Sequence, residues 1–192
     1  MDTLAGIKAS LRGSMKAYRD SIDAHTRANA SWRAMQMIKQ LPLYREAKAY
    51  LAYVPFGSEL NIMPLLDDPG DGKQVYVPRA RFVTRTLELC PYPCTFDWTS
   101  YGLAQPTGDV IALEDDWVDA TLDLVLVPAV AFSRSTRHRL GYGGGFYDVF
   151  FSRHDVPAIG VGFSFQLLQA VPYSGLDLPM DMLVTEDEVI RS

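Results

Sequence analysis

Leu4, Ile7, Leu11, Met15, Tyr18 and Ile22 recur at steps of three and four residues, so the chain opens with an amphipathic helix. Lys8 and Arg12 lie one turn apart on it and share a face. The same period predicts a second helix from about Thr26 to Leu41, with Trp32, Met35 and Ile38 inward and Pro42 as its stop. The pattern then changes. Ala49 to Val54 is a short run closed by Pro55 and Gly57, which predicts a strand. Asn61 to Leu66 reads as a short helix, and 67–72 as a turn-rich loop. Gln74 to Val77 predicts a strand ending at Pro78, and Thr86 to Leu89 another. No period holds from Pro91 to Thr121. Leu122 to Val127 is nearly all apolar, the mark of a strand buried on both faces. An amphipathic segment from Phe146 to His154 and strands at Ala158 to Phe163 and Met182 to Val184 complete the pattern.

Helices alternating with apolar strands over 192 residues predict one domain, 1–192. The expected class is α/β: a three-layer sandwich with a mostly parallel central sheet and a helical N-terminus. Such sheets bind ligands beyond the carboxyl ends of their strands. The segment Arg139-Leu-Gly-Tyr-Gly-Gly-Gly-Phe-Tyr-Asp148 comes after the strand at Leu122 to Val127 and falls on that side.

Four glycines within five residues, 141 to 145, leave backbone N–H groups uncovered and permit positive φ angles. Such a loop suits an anion, most simply a phosphate chain. Arg139 adds a positive charge at one end. Asp148 adds a carboxylate at the other, where Mg²⁺ on the phosphates has a ligand. The loop is neither a Walker A motif nor a dinucleotide fingerprint, since the third glycine of that fingerprint falls on Phe146. The residues alone leave three readings open. One is a nucleotide-dependent enzyme, one a sugar-phosphate or CoA-ester enzyme on a related sheet, and one a non-catalytic nucleotide-binding module.

Composition narrows the partners. Hydrophobic content of 48% and charged content of 21% are ordinary globular values. The net charge of −5 disfavours nucleic acid and anionic membranes. Cys90 and Cys94 alone support neither a disulfide framework nor a four-cysteine zinc site, and both read as ordinary thiols. His25, His138 and His154 are expected on the surface. The start lacks the pattern of a signal peptide, and no apolar run reaches membrane-span length. The cytoplasm is the expected location.

Several spaced motifs coincide: Lys8-x-x-Leu11-Arg12, Tyr53-x-Pro55, Glu59, Val77-Pro78-Arg79, Gly102-Leu103 with Pro106, the run Val127 to Phe132 leading into Arg139 to Asp148, and then Gln166, Pro172, Asp177 and Thr185-Glu186. Together they resemble the 5-formyltetrahydrofolate cyclo-ligase family, also called methenyltetrahydrofolate synthetase, over essentially the whole chain. Family members often carry Lys where this chain has Gly144, and Tyr where it has Phe146. The resemblance implies ATP- and Mg²⁺-dependent closure of 5-formyltetrahydrofolate to 5,10-methenyltetrahydrofolate, with release of ADP and phosphate.

It also implies residue roles. Lys8, Ala9, Ser10, Leu11 and Arg12 would lie at ATP, with Arg139, Leu140, Gly141, Tyr142, Gly143, Gly144, Gly145, Phe146 and Tyr147. Val54 and Glu59 would lie at the folate together with the loop from Tyr142 to Phe146. Arg139 and Asp148 would be catalytic, and Asp148 and Asp177 would hold the metal. The partner would be a reduced folate, with or without a polyglutamate tail, and the assembly a monomer or small homo-oligomer. Read without the resemblance, Lys8 and Arg12 also suit a solvated helix face, and Glu59 suits the first turn of a helix.

Overall fold

The computed structural model describes residues 3–100 and 102–191. Helix α1 (Leu4–Ser21) is capped by Thr3, whose side chain accepts the Gly6 N–H. Helix α2 (Ala24–Gln40) is capped by Asp23, which accepts the Thr26 N–H. Such caps satisfy N–H groups that the first turn leaves free. Pro42 stops α2 as predicted, but it also sits in the first turn of α3 (Pro42–Glu46), where its missing N–H costs nothing. Strand β1 (Ala49–Ala52), helix α4 (Met63–Asp67), strands β2 (Gln74–Arg81) and β3 (Thr86–Tyr92), and the hairpin β4 (Phe96–Trp98) and β5 (Ala104–Pro106) come next.

A 3₁₀ turn at Asp115–Trp117 leads into α5 (Val118–Thr121) and β6 (Leu124–Pro128). Then come β7 (Ala131–Ser133), β8 (Arg139–Leu140), α6 (Phe146–Phe151) and β9 (Ala158–Val161). The chain closes on β10 (Leu167–Leu168), β11 (Met182–Val184) and β12 (Val189–Arg191).

The main sheet has seven strands in the order β12-β11-β9-β6-β1-β2-β3. Its five inner strands run parallel, and β3 and β12 lie antiparallel at the edges. Period-two alternation divides each buried strand between two cores. Tyr50, Ala52, Leu124, Leu126, Ile159 and Val161 face one side, under Ala34 and Ile38 of α2, Tyr44 of α3 and Leu65 of α4. Ala49, Leu51, Val125, Val127 and Leu183 face the other, under Val118 and Phe150. This is the expected three-layer arrangement. In β9 a Cβ on Gly160 would come within 2.5 Å of the Phe132 ring, so glycine is what lets that ring lie against the sheet.

Several expectations give way. Pro78 lies inside β2 rather than ending it. β1 pairs with β2 only as far as Tyr76, and the Ala80 N–H turns to the Gln105 side chain rather than to β3. By the strand's period, the nitrogen of Pro78 faces the same side as that of Ala80, where no ladder bond is owed. β3 likewise continues past Leu89 to Tyr92. Trp32 is exposed rather than buried, since Met35 and Ile38 fill the contact with the sheet. His154 is buried, with ring nitrogens 3.3 Å from Asp115 and 3.4 Å from Asp119. The apolar stripe of α1 is only partly covered: Leu11 and Met15 pack on a small cluster with Ala131, Leu140 and Val171, while Leu4, Ile7 and Tyr18 stay exposed. No described helix is long and apolar enough to cross a membrane.

Candidate active site

β1 and β6 run parallel in the sheet, and past their ends a cavity of about 560 Å³ opens. One wall is the glycine loop. The small sheet of β10, β7 and β8 delivers it: β8 places Arg139, the loop turns through 141–145, and α6 begins at Phe146 with Gly145 as its cap at φ 74°. Gly143 has φ 104°, a conformation side chains rarely adopt. Arg12 fills the crook of this turn. Its Nε donates to the Gly141 carbonyl at 2.7 Å, and a Cβ on Gly143 would stand 3.6 Å from its Cζ.

Charges are interleaved here. Arg139 is buried and pairs with Asp148 in the first turn of α6, while its Nη1 donates to the Leu178 carbonyl at 3.2 Å. Its guanidinium lies 5.8 Å from the Tyr147 ring centroid and 5.7 Å from that of Phe151. Burial lowers the Arg139 pKa, against the pull of Asp148. Burial raises the Asp148 carboxyl, against the opposing charge of Arg139. Lys8 Nζ lies 2.8 Å from Asp177 Oδ2. Burial alone would raise Asp177, but hydrogen bonds from Lys8 and Ser174 outweigh it and hold the carboxyl below its usual range.

The opposite wall comes from the segment just beyond β1. Tyr53 donates to the Leu60 carbonyl at 2.8 Å and so folds the segment 53–60 back on itself. Glu59 Oε2 accepts the Phe56 N–H at 2.9 Å, and Oε1 accepts the Tyr142 hydroxyl at 2.7 Å. Burial raises the Glu59 pKa, with those two donors and Arg19 pulling the other way. The Tyr147 hydroxyl is buried with no hydrogen-bond partner. Phe82, on the turn after β2, meets Phe146 edge to face at 5.5 Å.

Most of the residues singled out in the sequence line this one cavity: Lys8, Arg12, Val54, Glu59, Arg139, Leu140, Gly141 to Asp148, and Asp177. Ala9, Ser10 and Leu11 do not. A helix turns 100° per residue, so Ala9 and Ser10 point to solvent and Leu11 into the small apolar cluster. Glu59 is no helix-start residue, because α4 begins only at Met63. Asp148 and Asp177 are each paired with a cation, and among the described residues no group of three or more His, Cys, Asp or Glu side chains could enclose a metal. Mg²⁺ needs no such cage: it keeps much of its shell as water and phosphate oxygens and takes one or two carboxylates.

Phe56, Phe82 and Gln105 also line the cavity, and Arg19 stands behind Tyr142, though no motif includes them. Arg19 had a signal, because it stands seven residues beyond Arg12 and eleven beyond Lys8, on the same helix face. The other three lie in irregular or hairpin segments with no period to mark them.

The 5-formyltetrahydrofolate cyclo-ligase family model matches residues 5–186. The chain belongs to the 5-formyltetrahydrofolate cyclo-ligase family. A probable 5-formyltetrahydrofolate cyclo-ligase from Caenorhabditis elegans is 26% identical over 99% of this chain and 98% of its own length. The 5-formyltetrahydrofolate cyclo-ligase of Mycolicibacterium smegmatis is 29% identical over 93% of each chain. The solved 5,10-methenyltetrahydrofolate synthetase of Aquifex aeolicus superposes with a TM-score of 0.81 at 27% identity, covering 96% of this chain and 92% of that one. Cyclo-ligases of this family are ATP-dependent ligases. Membership sets aside the sugar-phosphate and CoA-ester readings.

Proposed function

We propose that this chain, as one domain, closes 5-formyltetrahydrofolate to 5,10-methenyltetrahydrofolate with ATP. The observation that carries the proposal is the meeting of two chemistries in one cavity. Lys8, Arg12, Arg139 and the glycine loop suit a triphosphate, and Glu59 with Tyr53 and Val54 suits a flat ring bearing N–H donors.

A formamide oxygen is a poor leaving group. In the first step that oxygen attacks the γ-phosphorus and ADP departs. In the second, N10 attacks the formyl-derived carbon, phosphate leaves with the oxygen, and the N10 proton passes to it. The substrate thus supplies both nucleophiles. The protein's work is to align the groups and to neutralise charge on the transferring phosphoryl. Lys8 and Arg12 reach the phosphates from α1. Arg139, kept dry and charged by Asp148, faces them from β8. The turn at Gly143 lets backbone N–H groups approach without a Cβ between.

Three cations against two carboxylates, Asp148 and Asp177, leave one positive charge at the phosphate end. That is too little for a triphosphate. Asp148 and Asp177 would hold Mg²⁺, which supplies the missing charge on the phosphate oxygens. On this reading the substrate is a reduced folate with or without a polyglutamate tail. Nucleic acid and membranes play no part, and the chain works in the cytoplasm as a monomer or small homo-oligomer.

The test is absorbance of the methenyl product with purified protein, ATP and Mg²⁺. Product that depends on both ATP and the folate supports the reading. Absence of product, with ATP bound and the folate present, leaves a nucleotide-binding module instead.

A further inference from the structure

Arg19 is the one residue of α1 that is buried, and its two side-chain partners are hydroxyls rather than carboxylates. Nη2 donates to the Tyr142 hydroxyl at 2.6 Å, and Nε donates to Ser58 Oγ at 2.9 Å. The Ser58 hydroxyl donates a hydrogen bond to Asp20. The Tyr142 hydroxyl donates in turn to Glu59 Oε1 at 2.7 Å. The guanidinium also lies 5.8 Å from the centroid of the Tyr142 ring. A buried guanidinium whose direct partners are neutral hydroxyls, with the Asp20 and Glu59 carboxylates each one hydroxyl further away, is costly. An apolar side chain at that place would pin the helix at lower cost, so anchoring alone does not account for arginine.

We propose that Arg19 is a positioning residue for the folate subsite, acting on Glu59 through the Tyr142 hydroxyl. This rests on the reading of Glu59 as the ligand of the pterin. A phenol has one proton to give. With Arg19 donating to its oxygen, that proton is directed to Glu59. Tyr142 itself sits between Gly141 and Gly143, half-exposed, and its ring is held at the tip by Arg19. A carboxylate has about four acceptor positions. Phe56 N–H and Tyr142 occupy one on each oxygen, which fixes its plane and leaves the others for N–H groups of a reduced pterin. The titratable groups facing Glu59 are Tyr53 from the end of β1, Tyr142 from the loop, Tyr147 from α6 and Arg19 from α1. Arg19 supplies the positive charge in that set, so it also favours the ionised carboxylate.

The test compares Arg19→Gln, Arg19→Lys, Tyr142→Phe, the Arg19→Gln/Tyr142→Phe pair and Glu59→Gln. The readouts are steady-state kinetics for both substrates, the pH profile of kcat/KM for the folate, and melting temperature. We expect Arg19→Gln and Tyr142→Phe each to lower kcat/KM for the folate about tenfold, with the ATP KM unmoved. The acid limb of the profile should shift to higher pH in both. The pair should be no worse than the poorer single variant, because both changes cut one path. Arg19→Lys should recover part of the loss. Normal folate kinetics and an unmoved acid limb in Arg19→Gln, with only a lower melting temperature, would overturn the relay. If that variant does not fold, Tyr142→Phe decides, since it leaves Arg19 on Ser58; unchanged folate kinetics there also overturn it. Full turnover in Glu59→Gln would remove the pterin reading itself. Loss in Glu59→Gln with additive Arg19 and Tyr142 effects would leave that reading standing and reject the relay.

Discussion

Lys8 Nζ lies 2.8 Å from Asp177 Oδ2, so a residue of the first helix is tied to a loop 169 positions further along the chain. The pair keeps Asp177 ionised and neutralises its charge at the proposed phosphate end. On the proposed reading, Lys8→Met removes a phosphate donor and frees that carboxylate at once. The expected result is an ATP KM raised by roughly ten- to a hundredfold, as for loss of about 1.5–3 kcal/mol of charged hydrogen bonding, with the folate KM little changed. Initial-rate kinetics with each substrate varied in turn check it.

Arg12→Ala should act on the same substrate by another route. Arg12 holds the Gly141 carbonyl and fills the crook of the turn, so its loss removes a guanidinium and loosens the loop. ATP affinity should fall by one to two decades, about 1.5–3 kcal/mol, and more than folate affinity does. A rise in the folate KM with an unchanged ATP KM would place Arg12 elsewhere.

Gly143→Val tests the cradle itself. At φ 104° a β-branched residue is strained, although its Cβ would make only ordinary contact with Arg12 at 3.6 Å. Calorimetry should show weakened ATP binding. Unchanged affinity would mean that the turn does not approach the phosphates.

Glu59→Gln separates chemistry from stability. The pKa of Glu59 is raised in the folded protein above its ordinary 4.5, chiefly by burial. A carboxyl raised on folding contributes stability below pH 4.5, and that contribution is lost as pH rises through the folded value. The wild type should therefore lose stability relative to the variant as pH rises from 4.5. Cyclisation should fall by about 2 kcal/mol in kcat/KM while ATP binding persists. Melting curves across pH, beside the methenyl assay, check both halves.

The two long helices are legible from a sustained period of three and four residues, and the doubly buried strands β1, β6 and β9 as short, nearly unbroken apolar runs. The small sheet of β7, β8 and β10 is not, since each strand has only two or three residues. The β4–β5 hairpin is as short, and Trp98 on it is exposed. Pro78 misled because proline ends a strand only where a ladder bond is owed at its nitrogen. In the cavity, the glycine loop was legible from spacing and flanking charge, whereas Lys8 and Arg12, which by themselves suit a solvated helix face, stood out only through the family resemblance. Arg19 sat among nine basic residues in the first fifty and needed its neighbours, Ser58 and Tyr142, to distinguish it. Ala9 and Ser10 belong to a contiguous stretch of sequence but not to the cavity, because a helix presents only every third or fourth residue to one side.

Helix α1 finds its partners late in the chain. Lys8 waits for Asp177, Arg12 for Gly141 and Arg19 for Tyr142, across gaps of 169, 129 and 123 residues. Its own apolar stripe covers little, so these polar contacts do much of the holding. During synthesis, therefore, this early helix is among the last to dock. Such distant closures are slow, because the loop entropy is lost before the contacts offset it. A nascent chain cut short of Asp177 already contains β1, β2 and β6, but not the carboxylate that Lys8 pairs with at the proposed phosphate end. On the proposed reading, the capacity to bind ATP is therefore completed only once the segment carrying Asp177 has been made.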